Sequence, residues 1–294
     1  MRLLLAWILF IQAYIIFGDH NTGLDQCGIA NSNRIIGGKN ASMGAYPWIA
    51  RIGYIKKNDK EKDVTFRCGG TVITEIYVIT AAHCIVNLAN NIIVSRIRLG
   101  EHNTETNPDC IKSFCNLPYQ DFEAAQITPH ESYDKPKLQN DLGLIKLNKV
   151  ITFNEYIKPI CMMKAKLLKK NFIGQAAEVA GWGVYDINEP QMSSVLQTVK
   201  LPIVEIERCV IGYKIAAPIG YNQLCVGGKV GQDSCGGDSG GPLMKVDVDG
   251  PLGPRYYIIG IVSFGAKLCG ETNLPGVYTK IASYMPWVYE HIKA

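Results

Sequence analysis

Little in this chain reads as regular helix, and that most limits what it can fold into. Short runs rich in β-branched and aromatic residues recur at Trp48–Ile55, Gly70–Ile73, Tyr77–Thr80, Ile97–Leu99, Leu142–Leu147, Ala177–Ala180, Val195–Leu201, Pro242–Val246 and Tyr256–Val262. Each is bounded by Gly, Pro, Asn or Asp, and many short strands closed off by turn formers predict an all-β sandwich or barrel. Helical spacing is confined to a stretch near Val204–Val210 and to Ser283–Ile292, where Met285, Val288, Tyr289 and Ile292 share a face. With 294 residues, 47% hydrophobic and 19% charged, the chain is long enough to bury one large core or two small ones.

The formal charge of +4 is small for this length and the basic residues are scattered, so no nucleic-acid partner is expected. The densest cluster, Lys164, Lys166, Lys169 and Lys170, reads as a solvated loop. At the N-terminus Arg2 precedes an apolar run from Leu3 to Phe17, followed by small and polar residues from Gly18. That run is shorter than the ~20 residues needed to span a bilayer and no stop-transfer charges follow, so residues 1–18 are expected to be a secretory signal peptide rather than a membrane anchor. A secreted, extracellular chain follows. Ten cysteines agree with that compartment, since an even count in a secreted chain points to disulfides; no CxxC pair occurs, and five histidines assemble no zinc site of the usual spacing.

Three motifs carry chemistry. "GQDSCGGDSGGPL", residues 231–243, sets Ser239 among five glycines, which let backbone N–H groups approach a ligand closely. "TAAHC" at 80–84 holds His83, and "NDLGLIKL" at 140–147 holds Asp141. A hydroxyl is a poor nucleophile at neutral pH unless a base takes its proton and a third group fixes that base's tautomer, and these three residues supply one of each. Singly, they read equally well as a core histidine, a turn carboxylate and a loop hydroxyl.

Taken together with "IIGG", "PWIA", "CGGTVIT", "GWG", "IVSFG" and "PGVYTKI", the chain from Ile35 to its C-terminus resembles the trypsin-like members of the chymotrypsin family of serine proteases. The resemblance implies two six-stranded antiparallel β-barrels with a C-terminal α-helix, and catalytic residues in the cleft between the barrels. It implies Ser239 as nucleophile, His83 as general base and then acid, Asp141 as the orienting carboxylate, and the N–H groups of Gly237 and Ser239 as the oxyanion hole. Asp233 stands where trypsin-like members carry the acid of the specificity pocket, with Ser263, Gly265 and Gly276 as its walls. A buried carboxylate favours a substrate Arg or Lys, so protein substrates cut after those residues are expected.

By the same resemblance, cleavage after Arg34 frees the amino group of Ile35 to pair with Asp238, making the chain a zymogen with a pro-segment at 19–34 and a protease domain at 35–294. The implied disulfides are Cys27–Cys161, Cys68–Cys84, Cys209–Cys225 and Cys235–Cys269, the first keeping the pro-segment tethered. Cys110 and Cys115 remain as an extra pair, similar to arthropod proteases of the clip-domain group. The sequence departs from that group in having only Cys27 ahead of Arg34, where a clip module needs several cysteines.

Trypsins hold calcium in the loop that begins "LGEHNTETNPDC", so Glu101 and Asp109 with carbonyls of Asn103 and Thr106 form a candidate site; an acidic loop without metal is the other reading. No cofactor is required for catalysis. Asn40–Ala41–Ser42 is a glycosylation sequon. An activating protease, serpin-type inhibitors and a monomeric state are the expected partnership. Limited proteolysis in a haemolymph cascade or venom leads a digestive trypsin and a non-catalytic binding homologue as readings of the role.

Overall fold

The computed structural model describes residues 26–30, 39–57, 63–89, 91–186, 191–230, 237–248, 253–266 and 272–292. Twelve strands of four or more residues divide evenly between two antiparallel sheets. The first sheet holds β1 (Ile49–Lys56), β2 (Thr65–Val72), β3 (Tyr77–Thr80), β4 (Ile92–Leu99), β5 (Ala124–Pro129) and β6 (Gly143–Leu147). Its order is β4-β1-β2-β3-β6-β5, and the short strand Gln120–Phe122 pairs with the outer edge of β4. Among the described residues no ladder joins β5 to β4, so this sheet curls into a half-barrel.

The second holds β7 (Ala176–Gly181), β8 (Gln197–Val204), β9 (Gln223–Val226), β10 (Pro242–Val248), β11 (Pro254–Phe264) and β12 (Gly276–Lys280). Its order β8-β7-β10-β11-β12-β9 closes because β9 also pairs with β8, at Ile203↔Val226 and Val204↔Cys225. Closure leaves no free edge for pairing with another chain. The all-β, two-barrel expectation holds, with the difference that only the second barrel closes ladder by ladder.

Strand composition explains the layering. β3 is buried along its whole length and β11 over Arg255–Ser263, as continuous apolar strands are when both faces are covered. The core around Ile52, Leu99 and Ile145 fills the first sheet and continues to Met285 and Val288, while Val179, Leu201, Ile259 and Tyr278 fill the second. Trp48, fully buried, donates its indole N–H to Met244 Sδ at 2.9 Å and so pins β10 of the second barrel to the segment entering the first.

Two α-helices lie among the described residues, α1 (Ile206–Tyr213) and α2 (Met285–His291). α1 begins two residues later than its apolar spacing suggests because Val204 still belongs to β8. A 3-10 turn, Ile281–Ser283, occupies the predicted start of α2. Four disulfides lie among the described residues: Cys27–Cys161, Cys68–Cys84, Cys110–Cys115 and Cys209–Cys225. Cys235 and Cys269 lie outside the described residues. The stretch 26–30 docks on the second barrel through its disulfide, through Tyr256 N–H to Gly28 O at 3.0 Å, and through Arg255 to Cys27 O at 2.7 Å. No helix among the described residues is long and apolar enough to cross a membrane.

Candidate active site

β3 ends in the 3-10 turn Ala82–Cys84, whose flanking residues Ala82 and Cys84 are buried, and the Cys68–Cys84 disulfide ties that turn back to β2. His83 is thereby held at the seam between the barrels. Asp141 immediately precedes β6 and is fully buried, so its charge needs partners. It has them: Oδ1 accepts from the His83 backbone N–H at 2.9 Å and Oδ2 from the ring Nδ1 at 2.8 Å. Ser263 Oγ, at the end of β11, donates to Oδ2 at 2.5 Å, and Thr279 Oγ1, on β12, to the Asp141 carbonyl at 2.7 Å. A carboxylate only accepts, so the ring proton sits on Nδ1 and Nε2 keeps a free lone pair.

Ser239 approaches from the second barrel. Its carbonyl accepts from Gly69 N–H at 2.8 Å, and Gly240 N–H bonds Val262 O at 2.8 Å, so the segment is stitched to both barrels. His83 Nε2 and the Ser239 carbonyl each lie 3.6 Å from Cys84 Sγ. Gly240 has φ +79°, and a Cβ there would meet Thr80 Oγ1 at 2.2 Å, so only glycine fits this crossing. Gly237 has φ +103° and would press a Cβ against Met192 Cε at 2.9 Å. Among the described residues, neither the Gly237 nor the Ser239 N–H donates to a backbone acceptor. Asp238 Oδ1 accepts from Gly183 N–H at 2.9 Å.

Of the residues expected to wall the specificity pocket, Gly265 and Gly276 approach each other: among the described residues, a Cβ on Gly265 would have only Gly276 Cα, at 3.8 Å, within 4 Å, which leaves a slot there. Ser263, expected beside them, donates to Asp141. Arg34, Ile35 and Asp233 lie outside the described residues. Asn40 is exposed, its Oδ1 accepting from Gln197 Nε2 at 2.7 Å. Sequence reasoning missed Thr279, a fixed donor behind Asp141 that "PGVYTKI" contains, and Thr80, which donates to Gly69 O at 2.8 Å.

The calcium candidates are committed to one another. Asp109 accepts from His102 N–H at 3.0 Å, Asn103 N–H at 3.1 Å, Thr106 Oγ1 at 2.6 Å and Asn116 Nδ2 at 3.3 Å. The Asn103 carbonyl takes Thr106 N–H at 3.1 Å, and Glu101 Oε2 faces the guanidiniums of Arg98 at 3.3 Å and Arg51 at 4.0 Å. Among the described residues Glu101 Oε1 is buried without a hydrogen-bond partner, and burial, then the nearby Asp109 charge, pushes the Glu101 carboxyl above its usual range against the pull of the two arginines. Asp109, the Asn103 carbonyl and Glu101 Oε2 are thus engaged by donor hydrogens and guanidiniums and do not converge as the oxygen ligands a hard cation needs, so these residues as arranged do not fit calcium.

A pair of barrels, an imidazole held by a buried carboxylate and a serine beside it on a glycine turn belong to a known family. The Trypsin family model matches residues 35–288. The chain belongs to the trypsin family. It is a serine endopeptidase, a hydrolase. The silkworm Bombyx mori CLIP domain-containing serine protease HP8 is 39% identical over 91% of this chain and 72% of its own length. The proclotting enzyme of the horseshoe crab Tachypleus tridentatus is 38% identical over 90% of this chain and 68% of its own. Among solved structures, the Drosophila Grass clip serine protease of the Toll pathway superposes with TM-score 0.80 at 34% identity, covering 96% of this chain and 77% of that one.

Proposed function

We propose that this protease is secreted as a zymogen, is activated by cleavage after Arg34, and hydrolyses peptide bonds after Arg or Lys in limited proteolysis. The observation that carries the reading is the double grip of Asp141 on His83, at 2.9 and 2.8 Å, beside Ser239. In this reading Ser239 Oγ bonds to the scissile carbonyl carbon while His83 Nε2 takes its proton. The carbonyl π pair moves onto oxygen, which the N–H groups of Gly237 and Ser239 stabilise. Collapse re-forms the carbonyl and breaks the C–N bond as Nε2 returns the proton to the leaving amine. Water then repeats the sequence on the acyl-enzyme, releasing the acid and restoring Ser239.

Asp233 pairs with the substrate cation across the Gly265–Gly276 slot, and the freed Ile35 ammonium pairs with Asp238 to order the oxyanion loop. Relatives named as a proclotting enzyme and a Spaetzle-processing enzyme favour a cascade role over digestion, with an upstream activating protease and serpin-type inhibitors as partners and a glycan on Asn40. The test is to cleave the secreted chain, sequence the new N-terminus and assay an arginine amide. Activity should appear with Ile35 as first residue and be absent in Arg34→Gln. Full activity in uncut Arg34→Gln overturns the activation step, and an inert enzyme despite a free Ile35 overturns the specificity.

A further inference from the structure

Four arginines project from β1, β2 and β4, and three of them face carboxylates. Arg51 lies 4.0 Å from Glu101, Arg98 binds Asp121 at 2.8 Å and Glu101 at 3.3 Å, and Arg96 lies 3.5 Å from Asp121. Arg67, on β2, is exposed and has no ion pair among the described residues.

Its position gives that free charge a use. Arg67 stands at a bulge of β2, where Ile52 pairs with Cys68 and Gly53 with Phe66. Two residues on, β2 lies against the nucleophile segment: Gly69 N–H holds Ser239 O at 2.8 Å, and a Cβ on Gly69 would meet Gly241 Cα at 3.1 Å. Arg67, Met192 and Gly237 border one crevice between the barrels. The charge of Arg67 also reaches Tyr54, whose hydroxyl donates to Cys84 O at 2.8 Å, next to His83. The basic side chain of a substrate enters on the opposite flank of Ser239, between Gly265 and Gly276 beyond Val262 and Ser263. A peptide crossing Ser239 from that slot therefore leaves past β2.

We infer that Arg67 makes the leaving side of the cleft a subsite for an acidic side chain in the first two residues after the cut, an inference that rests on the reading of Ser239 as nucleophile. An exposed ion pair of this kind is worth about a threefold to fivefold preference in kcat/KM.

The experiment compares two internally quenched peptides, identical up to the cut arginine and carrying Glu or Gln at both positions after it, with an arginine amide as control. The activated enzyme should prefer the Glu peptide about threefold to fivefold at low salt, with the preference falling toward parity in about 0.5 M salt. Arg67→Gln should abolish it, Arg67→Lys should keep most of it, and all three enzymes should cleave the amide alike, showing an intact centre. Equal rates for the two peptides, or a preference that survives Arg67→Gln, overturns the inference. Failure of the parent enzyme on the amide instead overturns the proposed cleavage after arginine, and this inference with it.

Discussion

His83 and Asp141 on one wall of the cleft and Ser239 and Asp238 on the other are held by unlike means. On the first wall, hydrogen bonds from the His83 backbone and ring, Ser263 and Thr279 converge on one buried aspartate, and a disulfide fixes the turn beneath the imidazole. On the second, the segment depends on positive φ at Gly237 and Gly240 and on backbone bonds from Gly69 and Gly183. A network of side-chain donors is satisfied once folding is complete. A glycine turn has little to oppose a change in the charge next to it, and Asp238 is that charge. The proton-handling wall is thus built in, while the nucleophile wall is the one that the proposed cut after Arg34 would adjust.

The largest test of this contrast is Asp141→Asn. The amide keeps the shape but can offer a donor to Nδ1, which favours the wrong ring tautomer, and kcat should fall about 10⁴-fold with little change in melting temperature. A loss under tenfold would mean that the ring is oriented by something other than this carboxylate.

On the other wall, Gly183→Ala tests dependence on Asp238. A Cβ at residue 183 would meet Asp238 Oδ2 at 2.4 Å, so the carboxylate must move, which tests whether the N–H groups of Gly237 and Ser239 depend on its placement. Amidolysis by the cleaved enzyme should fall about 10²-fold, the scale of losing one oxyanion donor. The His83 wall should be unaffected, which NMR of the imidazole N–H would check. Unchanged turnover would show the second wall to be as rigid as the first.

The same contrast explains what could be read from the sequence. The triad motifs were legible because glycine density around Ser239 and the small residues before His83 are local signatures of a tight crossing. β5 was not: Ala124–Pro129 is half-exposed without period-2 alternation and is a strand only because β6 pairs with it. β9 spans only four residues, of which Leu224–Val226 make an apolar run too short to mark a strand by itself, and it closes the barrel through pairing with β8 and β12. The calcium expectation rested on oxygen-bearing residues spaced along one loop. What the sequence could not display is that Arg51, fifty positions earlier on a different strand, would turn its guanidinium toward Glu101.

That buried carboxylate supplies the smallest test, on the first barrel away from the cleft. Burial raises the folded-state pKa of Glu101 above its ordinary 4.5, so the folded protein holds the proton more tightly than the unfolded chain does. Its contribution to stability is complete below pH 4.5 and is lost as pH rises through the raised folded value. Glu101→Gln has no such proton to lose. Relative to the parent, the variant should therefore gain melting temperature between pH 4 and pH 7, by about a degree or two on the scale of a fraction of a kcal/mol in a domain of this size. If the variant instead loses ground as pH rises, the attraction of Arg98 and Arg51 outweighs the cost of burying the charge. The first barrel would then be held at Glu101 by its ion pairs with Arg98 and Arg51, with burial the lesser effect there.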